Sequence, residues 1–224
     1  AHSSANARRA ALIDGERTIS FAELERRTNR LARTLLVQGV RKGDRIALLL
    51  NDGSQFIEMV IAAGKVGAIA MLLNWRLTPA ELGWIMGEGS PVAVYRAERF
   101  AGLVAEASGF RDFVIADDPL GEATYERWAG DGADGPLPIA IVGDDPLFMM
   151  FTSGTTGKPK GCVHSHASTI ISAMAFAGRR GFVREDRNLS TGPLFHVAGL
   201  GQAFATMVVG GANVFIPRDS AVTA

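Results

Sequence analysis

The sequence predicts an α/β fold: layered, parallel-type sheets with helices on both faces. Two observations carry this. Short, nearly uninterrupted apolar runs alternate along the chain with amphipathic segments about a dozen residues long, the pattern of strands joined by crossover helices. The hydrophobic share, 47% of 224 residues, is also large enough to cover such sheets and too high for a disordered chain.

The first helix starts at Ser20. Ser20 and Glu23 form an S-x-x-E capping box, flanked by Ile19 and Leu24 as a hydrophobic staple. Phe21, Leu24, Thr28, Leu31 and Leu35 recur at spacings of three and four and mark the buried face, and Gly39 stops the helix. Arg26, Arg27, Arg30 and Arg33 lie off that stripe. Interleaved with Glu23 and Glu25, they read as a solvated face and not as a nucleic-acid patch.

Arg45–Leu50 (RIALLL) reads as a buried strand. The turn Asn51-Asp52-Gly53-Ser54 leads into a helix with Phe56, Val60 and Ala63 inward, and Ala68–Leu73 (AIAMLL) is the next strand. Thr78-Pro79-Ala80-Glu81 is a second capping box, with proline where its missing N–H costs nothing. Val92–Tyr95 and Phe113–Ala116 are expected strands, with a helix over Ala97–Ser108 between them. Asp117–Asp145 then fills with Asp-Pro, Asp-Gly and Gly-Pro turn signals. The expected organisation is a first α/β lobe (residues 1–117), a loop-rich connection (118–145) and a second α/β segment (146–224). The aspartates of the connection read as turn formers, because no metal-ligand spacing is present. Asn213–Pro217 is expected to be a last strand.

Composition excludes several classes. Lysine plus arginine balance aspartate plus glutamate at 23 each, so no net basic field favours nucleic acid or an anionic membrane. One cysteine makes neither an internal disulfide nor a cysteine-rich zinc site. The longest apolar stretch, Met59–Leu73, contains Lys65, Gly64 and Gly67 and falls short of the roughly 20 residues a spanning helix needs. The first residues lack the apolar core of a signal peptide, so a cytoplasmic setting is expected.

The chemistry concentrates after the apolar strand Leu147–Phe151 (LFMMF). Thr152, Ser153, Gly154, Thr155, Thr156, Gly157 and Lys158, followed by Pro159, Lys160 and Gly161, combine three glycines, four hydroxyls and two lysines in ten residues. Glycines let backbone N–H groups turn toward an anion, and hydroxyls and ammonium groups supply further donors for phosphate oxygens or reach a bound Mg²⁺. A Walker A loop ending on Gly157-Lys158 requires glycine at 152 and serine or threonine at 159. The residues there are Thr152 and Pro159, and Pro159 blocks the helix that such a loop feeds. A Gly/Thr hairpin without function is the plain alternative, but so dense a set of donors directly after a buried strand has little structural use.

TSGTTGKPKG after an apolar strand resembles the signature of the adenylate-forming superfamily: acyl- and aryl-CoA synthetases, peptide-synthetase adenylation domains and firefly luciferase. TISFAELERRTNRLA, AAGKVGAIAMLLNWRLTPAEL and PLFHVAGLG are similar to further blocks of that family, in its order and over nearly the whole chain. NWRLTPAEL and PLFHVAGL resemble the acid–CoA ligase forms more than the amino-acid-activating ones. The resemblance implies an incomplete N-terminal domain of the adenylate-forming fold and a two-step reaction using ATP, Mg²⁺ and CoA. A small-molecule carboxylic acid, fatty or aryl, attacks the α-phosphate to give an acyl-adenylate, and CoA then displaces AMP. It assigns Thr152–Lys158 to the β,γ-phosphates, the hydroxyl of Thr152 or Ser153 to Mg²⁺, and Phe195 with His196 to the acyl-substrate pocket. No catalytic residue is assigned. The family's Mg²⁺-binding glutamate block, ribose-binding aspartate, hinge and C-terminal lysine have no counterpart in these 224 residues, so this segment alone is expected to be inactive. A short, non-catalytic protein binding nucleotide or a partner ligase is the second reading, and a transporter- or motor-type ATPase the third.

Taken by residue type, His196 reads as a core histidine at a strand end; the resemblance moves it to the pocket. Cys162, His164 and His166 alternate and would share one face of an extended segment, which makes a metal site conceivable. The preferred reading is a turn into a helix capped near Ser165 or His166, with Ile170, Ile171 and Met174 as its buried stripe and no metal, since no carboxylate is at hand to orient the ligands.

Overall fold

The structure is a computed structural model and describes residues 6–104, 109–115, 124–130, 132–152 and 159–216. Strands β1 (Ala10–Asp14) and β2 (Arg17–Ser20) form a hairpin that runs into helix α1 (Phe21–Val37). Ser20 caps α1 by accepting the Glu23 N–H, and Gly39 takes the left-handed conformation just beyond its end. The Glu23 carboxylate pairs with Arg26. Next come β3 (Arg45–Leu49), α2 (Ser54–Val66), β4 (Ile69–Leu72), α3 (Pro79–Gly89) and β5 (Ala93–Ala97). The Thr78–Glu81 capping box is complete at α3, with both reciprocal hydrogen bonds made. The helix expected over Ala97–Ser108 is instead a short 3-10 turn, Glu98–Leu103, containing the poor helix former Gly102; residues 105–108 lie outside the described residues.

The remaining elements are β6 (Arg111–Ile115), α4 (Thr124–Gly130), β7 (Pro146–Thr152), β8 (Lys160–Ser165), α5 (His166–Arg180), β9 (Arg187–Leu189), α6 (Val197–Val208) and β10 (Ala212–Phe215). One sheet has the order β6-β5-β3-β4-β7-β8, parallel except for the final antiparallel pair β7–β8. The other has the order β2-β1-β10-β9, with β1, β10 and β9 parallel. Both sheets take strands from either side of the 118–145 connection.

The central strand β3 explains the layering. Ile46 and Leu48 face one core, shared with α1, α2 and α6, while Ala47 and Leu49 face a second core formed with α3. Being covered on both faces, β3 is apolar at every position after Arg45. Each such leucine or isoleucine contributes roughly 1.5–3 kcal/mol on burial.

Of the α1 arginines, Arg26 is exposed as the sequence suggested, but Arg27, Arg30 and Arg33 are not solvated. Arg27 is buried, ion-paired to the fully buried Glu58 of α2 and to Glu126 of α4, and Tyr125 donates to Glu58 over 2.7 Å. Arg17 holds both carboxylate oxygens of Glu126, at 2.6 and 2.7 Å. Arg30 and Arg33 donate to backbone carbonyls of residues 129–136. The connection thus contains a helix, clamped onto α1 by the residues read from sequence as its outer face.

Helix α5 is the second correction. Ser165 caps it as expected, but Thr169, Ala173 and Ala177 form its buried face. Ile170, Ile171 and Met174 are exposed, Ile171 to 66%. The small side chains allow α5 and α6 to approach closely, which turns the larger ones outward.

Candidate functional site

β7 is buried from Leu147 to Met150, lies parallel to β4, and reaches the C-terminal edge of the sheet at Thr152. β8 returns antiparallel, with Thr152 opposite Lys160 and Met150 opposite Cys162. The chain after Pro159 is therefore a strand, in keeping with the block that proline places on a Walker-type helix. Of the expected phosphate ligands, Thr152 is described and exposed; Ser153, Gly154, Thr155, Thr156, Gly157 and Lys158 lie outside the described residues. The Thr152 hydroxyl is 3.5 Å from the Lys160 carbonyl and 3.9 Å from Cys162 Sγ.

Thr152 and Pro159, the two described anchors of the loop, open onto a cavity of about 1110 Å³. Phe195 and His196 line the same cavity, together with Trp84 of α3 and Phe151. The structure thus brings together the start of the glycine-rich loop and both residues assigned to the acyl pocket. The cavity lies beyond the C-terminal ends of the parallel strands β4 and β7, where open α/β sheets bind ligands.

His196 is the N-cap of α6. Its Nδ1 accepts the Ala198 N–H at 3.3 Å, which in the neutral ring leaves the proton on Nε2. In that tautomer Nε2–H is a hydrogen-bond donor. Phe195 is 8% exposed and presents an apolar wall. Cys162 and His164 also border the cavity, and the His164 ring stacks on Phe148 with centroids 4.7 Å apart. His166 does not join them. As the first residue of α5 it leaves the strand's alternation and packs toward Gly64 of α2. Its buried Nε2 has no hydrogen-bond partner among the described residues, and burial lowers its pKa against the opposing pull of Asp145. Among the described residues no group of three His, Cys, Asp or Glu is placed to hold a metal ion. Thr152 does offer an exposed hard-oxygen donor, the type of ligand that suits Mg²⁺ already carrying water and phosphate oxygens.

Two residues that shape this site escaped the sequence reading. Asp52, from the turn after β3, accepts the Leu194 N–H at 2.6 Å and so holds the segment that presents Phe195. Nothing local marks it out from the other turn aspartates. Gly199 had a weak signal, as a glycine in the first turn of a helix. A Cβ at 199 would overlap the Pro193 carbonyl oxygen and lie 2.8 Å from that of Gly192. Gly199→Ala must displace backbone in residues 192–196. The expected result is a loss of about 1–3 kcal/mol in a denaturation experiment.

No described helix is long and apolar enough to cross a membrane. The comparisons with known proteins agree on kinship. The AMP-binding enzyme model matches residues 1–224. The long-chain-fatty-acid–CoA ligase FadD13 of Mycobacterium tuberculosis is 34% identical over 205 residues, covering 91% of this chain and 41% of that protein. A feruloyl-CoA synthase of an Amycolatopsis species is 32% identical, covering 92% and 40%. Among solved structures, the inhibitor-bound N-terminal domain of FACL13 from M. tuberculosis superposes with a TM-score of 0.85 at 29% identity, over 95% of this chain and 54% of that one. The chain spans about 40% of the length of the curated relatives it matches. Two sheets in the arrangement of a CoA-ligase N-terminal domain, and a family model matched from the first residue to the last, make the chain a member of the AMP-binding enzyme family.

Proposed function

We propose that the chain supplies the phosphate-binding loop and part of the acyl pocket of an AMP-forming acid–CoA ligase. The observation that carries the reading is the shared cavity: the loop anchors Thr152 and Pro159 open onto the space walled by Phe195 and His196. A carboxylate bound there lies beside the phosphates held by Thr152–Lys158. Its oxygen attacks the α-phosphorus of ATP, the bond to the β-phosphate breaks, and pyrophosphate leaves. The CoA thiol then attacks the acyl carbon and AMP departs. A carboxylate oxygen is a poor leaving group, and the mixed anhydride makes it a good one. The chain's own task is to hold the departing phosphates and orient the carboxylate, with His196 Nε2–H as donor. Mg²⁺ would neutralise phosphate charge, with Thr152 as the described hydroxyl nearest the loop. The relatives named for fatty and aryl acids support a carboxylic acid as substrate.

Ile170, Ile171 and Met174 form an exposed apolar face on α5, a surface open to association with further chain or with a partner. The test is carboxylate-dependent pyrophosphate release. The complete enzyme is expected to release pyrophosphate only with acid present, and the 224-residue segment to release none. Sustained turnover by the pure segment would overturn the division of labour, and acid-independent behaviour of the complete enzyme would overturn the ligase reading.

A further inference from the structure

Trp75 stands beside the cavity without lining it. It follows β4, and the residues around it, Asn74 and Leu77, do face the cavity. Its ring meets that of Phe195 edge to face, with centroids 6.0 Å apart and planes at 89°. On another side it lies nearly parallel to Phe100, at 6.1 Å and 14°. The Arg76 guanidinium sits 5.0 Å over Trp75, and that of Arg99 sits 4.6 Å over Phe100. Arg99 is in turn tied to the Asn51 side chain. Trp75 packs against both cores, so it links the Phe195 side of the sheet to the Phe100 side.

We propose that Trp75 is a positioning residue of the acyl pocket: by fixing the Phe195 ring it sets how large an acid the cavity admits. The inference rests on the ligase reading above. The backbone of Phe195 is held by the Asp52–Leu194 hydrogen bond and by the close approach of Gly199, but neither restrains the ring. The edge-to-face contact with Trp75 does, since the aromatic quadrupoles favour that geometry. On the far side, Phe100 is buried in the second core and covered by the tethered Arg99, so it is the less able to move. Shrinking Trp75 opens a void that neighbouring side chains relax into. Phe195, with the cavity at its back, is the one free to follow, and its withdrawal enlarges the cavity.

The experiment measures kcat/KM of the complete enzyme for straight-chain carboxylic acids from butanoate to hexadecanoate, and for benzoate. Trp75→Leu is expected to shift the preference between the largest and smallest acids turned over by about tenfold toward the larger, mainly through KM, with KM for ATP unchanged. Trp75→Phe should shift it less in the same direction, and it decides the matter if the leucine variant does not fold. In a Phe195→Ala background, Trp75→Leu should add nothing to the shift, because the effect passes through Phe195. An equal loss for every acid, or a shift that persists without the Phe195 ring, would overturn the proposal while leaving the ligase reading intact. Failure of the parent enzyme to use any acid would instead overturn that reading.

Discussion

Replacing Lys158 and Thr155 together by alanine in the complete enzyme is expected to slow adenylation by about 10³-fold. In the proposed ligase reaction charge accumulates on the departing pyrophosphate as the anhydride forms, and donors aimed at that charge act in the transition state more than in the ground state. Removing one such donor typically costs about 10²–10³ in rate. Lys158 is the last position of the loop that begins at Thr152, and Thr155 supplies one of its four hydroxyls. In the proposed ligase the acid would lie against Phe195 and His196, which line the cavity, so its binding should be far less affected than the chemical step. Single-turnover pyrophosphate release with saturating acid separates the two. An unchanged rate would remove the loop from the mechanism.

The second large effect concerns stability. Arg27→Ala is expected to destabilise the fold by about 3–5 kcal/mol, read from urea or guanidinium denaturation. The substitution strips the fully buried Glu58 of its cation and leaves the Tyr125 hydroxyl as its remaining side-chain partner among the described residues. Arg27→Ala with Glu58→Ala should recover part of the loss, because no unpaired charge remains. Acid probes the same cluster. Burial opposes the ionised form of Glu126, but its bonds to Arg17 and Arg27 prevail and lower its pKa to about 2. The folded value lies below the unfolded one, so the contribution is complete above the ordinary glutamate range and is lost as pH falls through about 2. Stability followed from pH 6 to pH 2 should therefore fall less steeply in Arg27→Ala, which lacks one of the partners that depress Glu126.

The alternation of strands and helices was legible because the central strands β3, β4 and β7 are buried on both faces and α1, α3 and α5 open with local side-chain caps. Thr78–Glu81 and Ser165 act over three or four residues, a range at which sequence alone suffices. The helix expected over Ala97–Ser108 was misjudged locally, at Gly102; the other two errors involve partners distant in sequence. The α1 arginines read as solvent-facing because Glu126 lies about a hundred residues away, within a segment dominated by turn formers. The α5 stripe was misjudged because two apolar faces compete on that helix, and the small-residue face wins through its fit to α6. The site divides in the same way. The glycine-rich loop and the Phe195-His196 pair are continuous words in the sequence, whereas Asp52 and Gly199 act through backbone contacts that only the fold creates.

The pairing of β1 with β10 also has a consequence in time. Leu12 lies opposite Asn213, so the inner edge of the β1–β2 hairpin finds its partner only about 200 residues later in synthesis. At a ribosomal rate of about 5–20 residues per second, that edge waits roughly 10–40 s. An isolated two-stranded hairpin is marginal in water, and its open backbone groups can pair with any extended segment nearby. Contacts of such long sequence separation close late and slow the search for the native state. The six-stranded sheet, complete once β8 has emerged, offers a surface on which the earlier hairpin can dock while β9 and β10 are still being made.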